Sequence, residues 1–198
     1  MTIKLKLSPQ EIWQRITAEA RVSATAEPNF ANYFATTILD YNDLGTALSN
    51  HLARKLASAA ATKPMLQEIM QAVFAKEPIM AMVARDIQAT VDRDSACDLY
   101  SSPFLYFKGF LSLQAYRAAH ELWLQGRTSL ALLLQHRISI TFAVDIHPAA
   151  IIGSGVMIDH ATGLVIGETA VIEDSVSIMQ SVTLGITGKD KCDLLPEI

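Results

Sequence analysis

One histidine of the chain lies in a setting suited to proton transfer. His160 follows Asp159 in the segment Ile158-Asp-His-Ala-Thr-Gly, which we expect to form a turn whose polar side chains face outward. An imidazole in such a turn can take a proton from a hydroxyl nucleophile near neutral pH, if a carboxylate fixes its tautomer. Asp145 is our candidate for that carboxylate, because a coiled chain brings sequence-distant turns together. The sequence therefore indicates general-base chemistry on a hydroxyl group.

The same residues allow a second interpretation. Asp145, Asp159 and His160 can also lie on solvent-facing turns and take no part in a reaction. His147, the other histidine of this region, precedes Pro148, and we interpret it as structural. The choice between the two interpretations depends on the fold that positions these side chains. The surrounding sequence predicts that fold.

Between Asp145 and Thr187 the chain repeats itself every six residues, with a single two-residue slip. The recurring aliphatic residues are Ile146, Ile152, Ile158, Ile166, Ile172, Ile178 and Leu184. Four places after most of them stands a small or β-branched residue, at Ala150, Val156, Thr162, Ala170, Val176 and Val182. This pattern is typical of a parallel β-helix of hexapeptide repeats, and a sandwich of short strands would instead show a period of two. With three repeats per turn, we expect three stacked pairs: Ile152 with Ile172, Ile158 with Ile178, and Ile166 with Leu184.

The residues before the repeat have helical periodicity. Ser8, Pro9 and Glu11 predict a helix start with a capping box. Further apolar sets at helical spacing predict helices near residues 29–39, 44–52, 66–73, 79–87, 103–126 and 128–136. At Ile138 the alternation changes to a period of two, and we expect the coil to begin there. The predicted fold class is α+β, with an all-helical domain over residues 1–137 and a β-helix over residues 138–198.

Composition limits the possible classes of function. The chain has 198 residues, of which 51% are hydrophobic, so it can bury a core. A net charge of −4 and the lack of a basic stripe argue against a nucleic-acid partner. No segment approaches the roughly 20 apolar residues of a membrane span. Cys97 and Cys192 stand far apart and lack the spacing of a metal site, so we expect free thiols, no metal and a cytoplasmic location.

Several longer segments resemble the serine acetyltransferase family, which makes O-acetylserine for cysteine biosynthesis. In the repeat these segments are Asp145-Ile-His-Pro-Ala-Ala, Ile158-Asp-His-Ala-Thr-Gly, Gly167-Glu-Thr-Ala-Val-Ile-Glu and Gln180-Ser-Val-Thr-Leu-Gly. In the helical part they are Leu44-Gly-Thr-Ala-Leu-Ser, Asp86-Ile-Gln-Ala, Tyr106-Phe-Lys-Gly-Phe and Gln114-Ala-Tyr-Arg. The resemblance covers nearly the whole chain. Asp-His-Ala-Thr-Gly joined to a helical domain is specific within the hexapeptide acyltransferases, whereas bare hexapeptides also occur in sugar acetyltransferases and in proteins that transfer no acyl group.

The resemblance implies a reaction and a role for particular residues. The reaction is transfer of an acetyl group from acetyl-CoA, a co-substrate, to the hydroxyl of L-serine. His160 would deprotonate that hydroxyl, with Asp145 orienting its ring. Asp94 and Asp159 would hold the serine ammonium, since carboxylates pair with a cation.

The resemblance also implies a cofactor contact and an assembly. Gly185 and Thr187 would lie against acetyl-CoA. The β-helix would be left-handed and trimeric with active sites between neighbouring subunits, and two trimers would join through the helical domains. The family also inserts a C-terminal isoleucine into O-acetylserine sulfhydrylase, which makes Ile198 a weak candidate for the same contact.

Near its end the chain departs from the family pattern. Ile186 replaces a second glycine after Gly185, and Leu194-Leu195-Pro196 replaces an Arg-His-Pro whose cations pair with the serine carboxylate. The chain stops at Ile198, where the family continues through further coils. We therefore expect a shortened β-helix, impaired activity and a weakened trimer.

These departures leave two other functions open. One is a noncatalytic oligomerisation or regulatory subunit whose helical domain still assembles. The other is an acetyltransferase for a different hydroxyl acceptor, since Leu194 and Leu195 suit an acceptor without a carboxylate. Asp94, Asp159 and His160 favour serine.

Overall fold

The computed structural model describes residues 6–185, and helices make up most of this part of the chain as far as Phe142. The α-helices are α1 (Pro9–Ala26), α2 (Ala31–Phe34), α3 (Leu44–Leu56), α4 (Lys63–Phe74), α5 (Glu77–Arg93), α6 (Ser101–Tyr106), α7 (Lys108–Leu124) and α8 (Thr128–Phe142). A 3₁₀ turn at Pro28–Phe30 precedes α2 and a π-helical turn at Ala35–Leu39 follows it. None of the helices within residues 6–185 is both long and apolar enough to cross a membrane.

Helix α1 begins as the sequence predicts. The Ser8 hydroxyl accepts a hydrogen bond from the Glu11 N–H at 3.2 Å, and the Glu11 carboxylate accepts one from the Ser8 N–H at 2.8 Å. Both halves of the predicted capping box are therefore present, and they satisfy backbone donors that have no partner inside the helix. The apolar residues of α1, spaced three and four apart, are buried: Ile12, Trp13, Ile16 and Ala20.

The single helix predicted over residues 103–126 is wrong, because two helices occupy this range. Phe107 has an extended backbone, with φ −83° and ψ 107°, and it separates α6 from α7. The break lets the start of α7 turn against the coil, where Gly109 packs on the backbone of Ile158. A Cβ at Gly109 would lie 1.9 Å from the Ile158 carbonyl oxygen, so only glycine fits this contact.

The strand predicted from Ile138 is also wrong, since α8 continues to Phe142 and the domain boundary predicted at 137/138 falls inside it. Ile138 and Phe142 are four residues apart and are buried on one face of α8, whereas Ile140 between them is 61% exposed. A short run with period two therefore fits a helix as well as a strand. The helix ends at Ala143, whose left-handed backbone (φ 55°, ψ 43°) directs the chain into the first strand.

Seven short strands follow within residues 6–185, and each of the first four pairs in parallel with the strand three places further along the chain. They are β1 (Val144–Ile146), β2 (Ile151–Ile152), β3 (Met157–Ile158), β4 (Leu164–Ile166), β5 (Val171–Ile172), β6 (Ser177–Ile178) and β7 (Thr183–Leu184). The three sheets have the orders β1-β4-β7, β2-β5 and β3-β6. The chain thus winds as a three-sided coil. The predicted stacking is confirmed: Ile152 pairs with Ile172, Ile158 with Ile178, and Ile166 with Leu184, and all six side chains are buried.

A buried ion pair joins the helices to the coil. The Arg117 guanidinium on α7 donates to the Asp86 carboxylate on α5 at 2.7 and 3.0 Å, and also to the carbonyl of Gly153 at 2.7 Å. The second oxygen of Asp86 accepts the N–H of Val156 at 3.0 Å. Burial raises the pKa of Asp86, while the guanidinium and the hydrogen bonds oppose that shift. The pair therefore fixes α5 and α7 on the backbone that leads into β3.

Candidate active site

A cavity of about 450 Å³ opens where the helices meet β3. A volume of this size suits one small substrate. Three stretches of chain line it, namely the end of α5 with the following turn (Thr90, Asp94, Ala96), the α6–α7 junction (Tyr106, Phe107, Lys108, Gly109), and β3 with the turn after it (Met157, Ile158, Asp159, His160). The cavity thus needs both the helical part and the coil.

His160 lies in an unusual turn at the edge of this cavity. His160 and Ala161 both have positive φ, 56° and 63°, which side chains with a Cβ rarely adopt. The Ala161 N–H donates to the Asp159 carbonyl at 2.6 Å and the Thr162 N–H to the His160 carbonyl at 2.7 Å, so two three-residue turns follow each other. The His160 side chain is 74% exposed. Such backbone strain is typical of functional sites, and here it presents the imidazole to the cavity opening.

Two carboxylates share the cavity with His160. The nearer oxygen of Asp159 lies 3.9 Å from His160 Nε2. Asp94 ends α5, and its Oδ1 accepts the Ala96 N–H at 2.9 Å, which holds this carboxylate in place. The fold therefore gathers Asp94, Asp159 and His160, three of the residues that the resemblance assigns to the site.

Asp145 occupies a different position. It lies on β1, and its Oδ1 accepts a hydrogen bond from Gln135 Nε2 at 2.7 Å. Within residues 6–185, no hydrogen bond or ion pair connects Asp145 to His160, and Asp145 does not line the cavity. A single chain therefore does not form the predicted orienting contact.

His147 has structural contacts, in keeping with its interpretation. Its Nδ1 accepts the Ala149 N–H at 3.1 Å, and its ring meets the edge of Trp123 with centroids 5.1 Å apart. The three or more clustered His, Cys, Asp or Glu side chains that a metal ion needs are not found in the described part of the chain.

Gly185, assigned by resemblance to the acetyl-CoA contact, lies at the last described position. Its φ is 146°, and a Cβ placed on it would approach the Cα of Gly167 on the preceding coil to 3.3 Å. The two glycines thus let successive coils pack closely at this edge. Thr187, the other predicted contact, and the departures at Ile186, Leu194 and Leu195 lie outside the described residues.

The contribution of the α6–α7 junction to the site was not predicted from the sequence. The segment Tyr106-Phe-Lys-Gly-Phe carries part of the family resemblance, and four of its five residues line the cavity. Lys108 donates from Nζ to the hydroxyl of Thr162, two residues beyond His160. The available signal was Gly109, because a glycine in the first turn of a helix often marks close backbone contact.

The chain matches known proteins along most of its length. Residues 12–115 match the family model described as "Serine acetyltransferase, N-terminal". A serine acetyltransferase of Salmonella typhimurium is 54% identical over 188 residues, which are 94% of this chain and 69% of that protein.

Solved structures match as well. A serine acetyltransferase in complex with CoA is 51% identical, with a TM-score of 0.86, and the match covers 89% of this chain and 75% of that one. Soybean serine acetyltransferase in complex with serine is 48% identical, with a TM-score of 0.90, and the match covers 94% and 77% of the two chains.

Proposed function

This chain belongs to the serine acetyltransferase family, and we propose how its own residues carry out the transfer of an acetyl group from acetyl-CoA to the hydroxyl of L-serine. It is an acyltransferase, and its product, O-acetylserine, serves cysteine biosynthesis. The observation that carries the proposal is the cavity in which an exposed imidazole meets two carboxylates. Solved structures of relatives in complex with CoA and with serine support the assignment of the two substrates.

His160 acts as the general base. Its imidazole takes the proton of the serine hydroxyl while the oxygen attacks the thioester carbonyl of acetyl-CoA. A C–O bond forms, the C–S bond breaks, and the departing thiolate of CoA takes the proton from the imidazolium. The exposure of His160 leaves its ring accessible to both substrates.

Asp94 and Asp159 bind the serine ammonium. Both line the cavity beside His160, and each offers a carboxylate that pairs with a cation. An ammonium held between them places the hydroxyl, two carbons away, near the imidazole. Such placement lowers the barrier by orienting the reacting groups.

Asp145 orients His160 across a subunit boundary. On the β1-β4-β7 side of the coil, Asp145 stands in register with Val165, whose apolar side chain is 40% exposed. An exposed apolar residue beside a carboxylate suits contact with another copy of the chain. In a trimer built on this side, Asp145 of one subunit faces His160 of the next.

The coil is a left-handed parallel β-helix, and two trimers join through their helical domains into a hexamer. Gly185 lies against acetyl-CoA, where the glycine permits a close approach. The same contact for Thr187 stays a prediction, because Thr187 lies outside the described residues. We place the protein in the cytoplasm, where its buried free thiol Cys97 stays reduced. Contact of Ile198 with O-acetylserine sulfhydrylase stays a prediction, because Ile198 lies outside the described residues.

The test is release of free thiol from acetyl-CoA by the full chain, with and without L-serine. We expect serine-dependent release that disappears in His160→Ala. Thiol release at the same rate with and without serine would favour another acceptor. If the chain is folded and assembled but releases no thiol, a noncatalytic subunit is favoured. A parent and a His160→Ala variant of equal, measurable activity would remove His160 from the mechanism.

A further inference from the structure

The candidate cavity contains one permanent positive charge, and the proposed mechanism does not use it. Among the described residues that line the cavity, the charged side chains are Asp94, Asp159 and Lys108, together with the titratable His160. Asp94 and Asp159 can pair with the ammonium of an amino acid. Lys108 is left without a role.

The position of Lys108 brings its charge close to the catalytic turn. It is the first residue of α7, and its ammonium reaches across to the hydroxyl of Thr162. Thr162 belongs to the same turn as His160, since its N–H donates to the His160 carbonyl. The cation therefore lies beside the turn that carries His160.

Within the described residues, the ammonium of Lys108 has only a neutral hydrogen-bond partner, the Thr162 hydroxyl. In residues 6–185 the ion pairs join Lys76 with Glu121, Arg85 with Asp174, Arg117 with Asp86, and His160 with Asp159, and none includes Lys108. A cation that lines a cavity and lacks an acidic partner is suited to an anionic ligand. The first turn of a helix reinforces this preference, because its free N–H groups favour negative charge.

We propose that Lys108 binds the carboxylate of the acceptor and thereby selects an amino acid over an amino alcohol or an amino-acid amide, which lack the carboxylate. The inference rests on the proposed function and assigns the third polar group of the same substrate. Asp94 and Asp159 take the ammonium, His160 takes the hydroxyl proton, and Lys108 takes the carboxylate. Leu194 and Leu195 stand where the family pattern has the two cations for the serine carboxylate, and Lys108 supplies a cation from the helical domain instead.

The experiment compares binding of L-serine with binding of L-serinamide, which keeps the ammonium and the hydroxyl but replaces the carboxylate by a neutral amide. Calorimetry on the full chain gives both dissociation constants for the parent and three variants. Lys108→Met keeps the aliphatic stem and removes the charge, and Lys108→Arg keeps the charge. Thr162→Val removes the hydroxyl partner and keeps the lysine.

In Lys108→Met we expect serine to bind about tenfold or more weakly, as for loss of a charge-assisted hydrogen bond, while serinamide binds as in the parent. Lys108→Arg should keep serine binding within about threefold of the parent. Thr162→Val should preserve the parent's ratio of serine to serinamide affinity.

Other outcomes overturn the inference, and they separate it from the function. Equal weakening of serine and serinamide in Lys108→Met, or no change in either, excludes Lys108 as the carboxylate partner but leaves the acetyl transfer standing. A folded parent that binds neither ligand and releases no thiol with serine overturns the inference and the proposed function together.

Discussion

His160 shows how one residue can combine backbone strain with reactivity. Its positive φ and that of Ala161 are held by hydrogen bonds inside the turn and by the coils on either side, because the Ser181 N–H donates to the Thr162 carbonyl at 2.9 Å. The surrounding coil therefore stabilises a conformation that an isolated peptide would leave. Within residues 6–185, no hydrogen bond joins the His160 ring to a carboxylate that would orient it.

The proposed contact of His160 with Asp145 of a neighbouring subunit predicts complementation. His160→Ala and Asp145→Asn subunits, each inactive or weakly active alone, should regain serine-dependent thiol release when they are unfolded together and reassembled. Mixed trimers contain interfaces at which an intact His160 meets an intact Asp145. Each variant reassembled alone is the control. If the mixture is no more active than the mean of the two variants, the two residues do not act together across a subunit boundary.

His51 carries a second residue-scale prediction, on pH and stability. It is buried, its ring stacks on Phe104, and its Nε2 has no hydrogen-bond partner within residues 6–185. Burial, with Lys55 and Arg54 nearby, lowers the pKa of His51 from 6.5 to about 3. Below pH 6.5 the unfolded chain therefore binds a proton at His51 that the folded chain does not bind. As the pH falls, this difference lowers the free energy of unfolding further.

Urea unfolding between pH 7 and pH 4 tests this sign. Below about pH 6, we expect the contribution of His51 to lower the free energy of unfolding by about 1.4 kcal/mol per pH unit. His51→Leu should lack that contribution, while the exposed His136→Gln should keep the slope of the parent. A His51→Leu variant with the parent's slope would assign the acid sensitivity to other groups.

At the scale of elements, the ends of α5 and α7 determine the shape of the cavity. Gly109 sets how closely α7 approaches β3, and the Asp86–Arg117 pair sets where both helices lie along the coil. Neither contact takes part in the reaction, yet together they fix the distance between Asp94, on the helical side, and Asp159, on the coil side. The site is therefore as rigid as this junction.

Arg117→Met should destabilise the fold by about 3–5 kcal/mol, since it leaves the buried carboxylate of Asp86 without its cation. Arg93→Met is the matched control on α5. Arg93 also reaches the coil, where it donates to Ser177 at 3.1 Å, but this contact is exposed and should contribute less than about 1 kcal/mol. Chemical unfolding of both variants gives the comparison. Equal, small losses would show that the buried pair contributes little net stability.

At the scale of the whole molecule, the three sides of the coil differ in what covers them. The β3 side packs against α5 and α7, while apolar side chains stay exposed on the other two sides, with Ile151 57% and Val165 40% exposed. Exposed apolar residues on a flat strand surface favour association between copies. Val165 stands in register with Asp145 on the β1-β4-β7 side, so in the proposed trimer both assembly and catalysis depend on this side of the coil.

Val165→Asp should therefore reduce both the assembly and the activity. Its charge would be buried against a neighbouring subunit, and sedimentation should show smaller species than for the parent. Val22→Asp, on α1 and 70% exposed, adds the same charge away from the coil and should keep the trimer contacts. A Val165→Asp variant with the parent's sedimentation would exclude this side as the subunit contact.

The amino-acid sequence by itself determined the features that depend on local periodicity. The six-residue repeat predicted which isoleucines stack, and Ser8 and Glu11 predicted the start of α1, because each pattern reports a preference of a short segment. The resemblance also pointed to Asp94, Asp159 and His160, which the fold brings to one cavity.

The tertiary structure decided what depends on contacts between distant segments. The alternation at Ile138 fits a helix or a strand, and only packing against the helical core selects α8. Lys108 lines the site because a break at Phe107 turns α7 against β3, and Gly109 signals a close backbone contact without indicating which distant segment it meets. Asp86 and Arg117 lie 31 residues apart, and their pairing follows from burial, since a charge removed from water requires a partner.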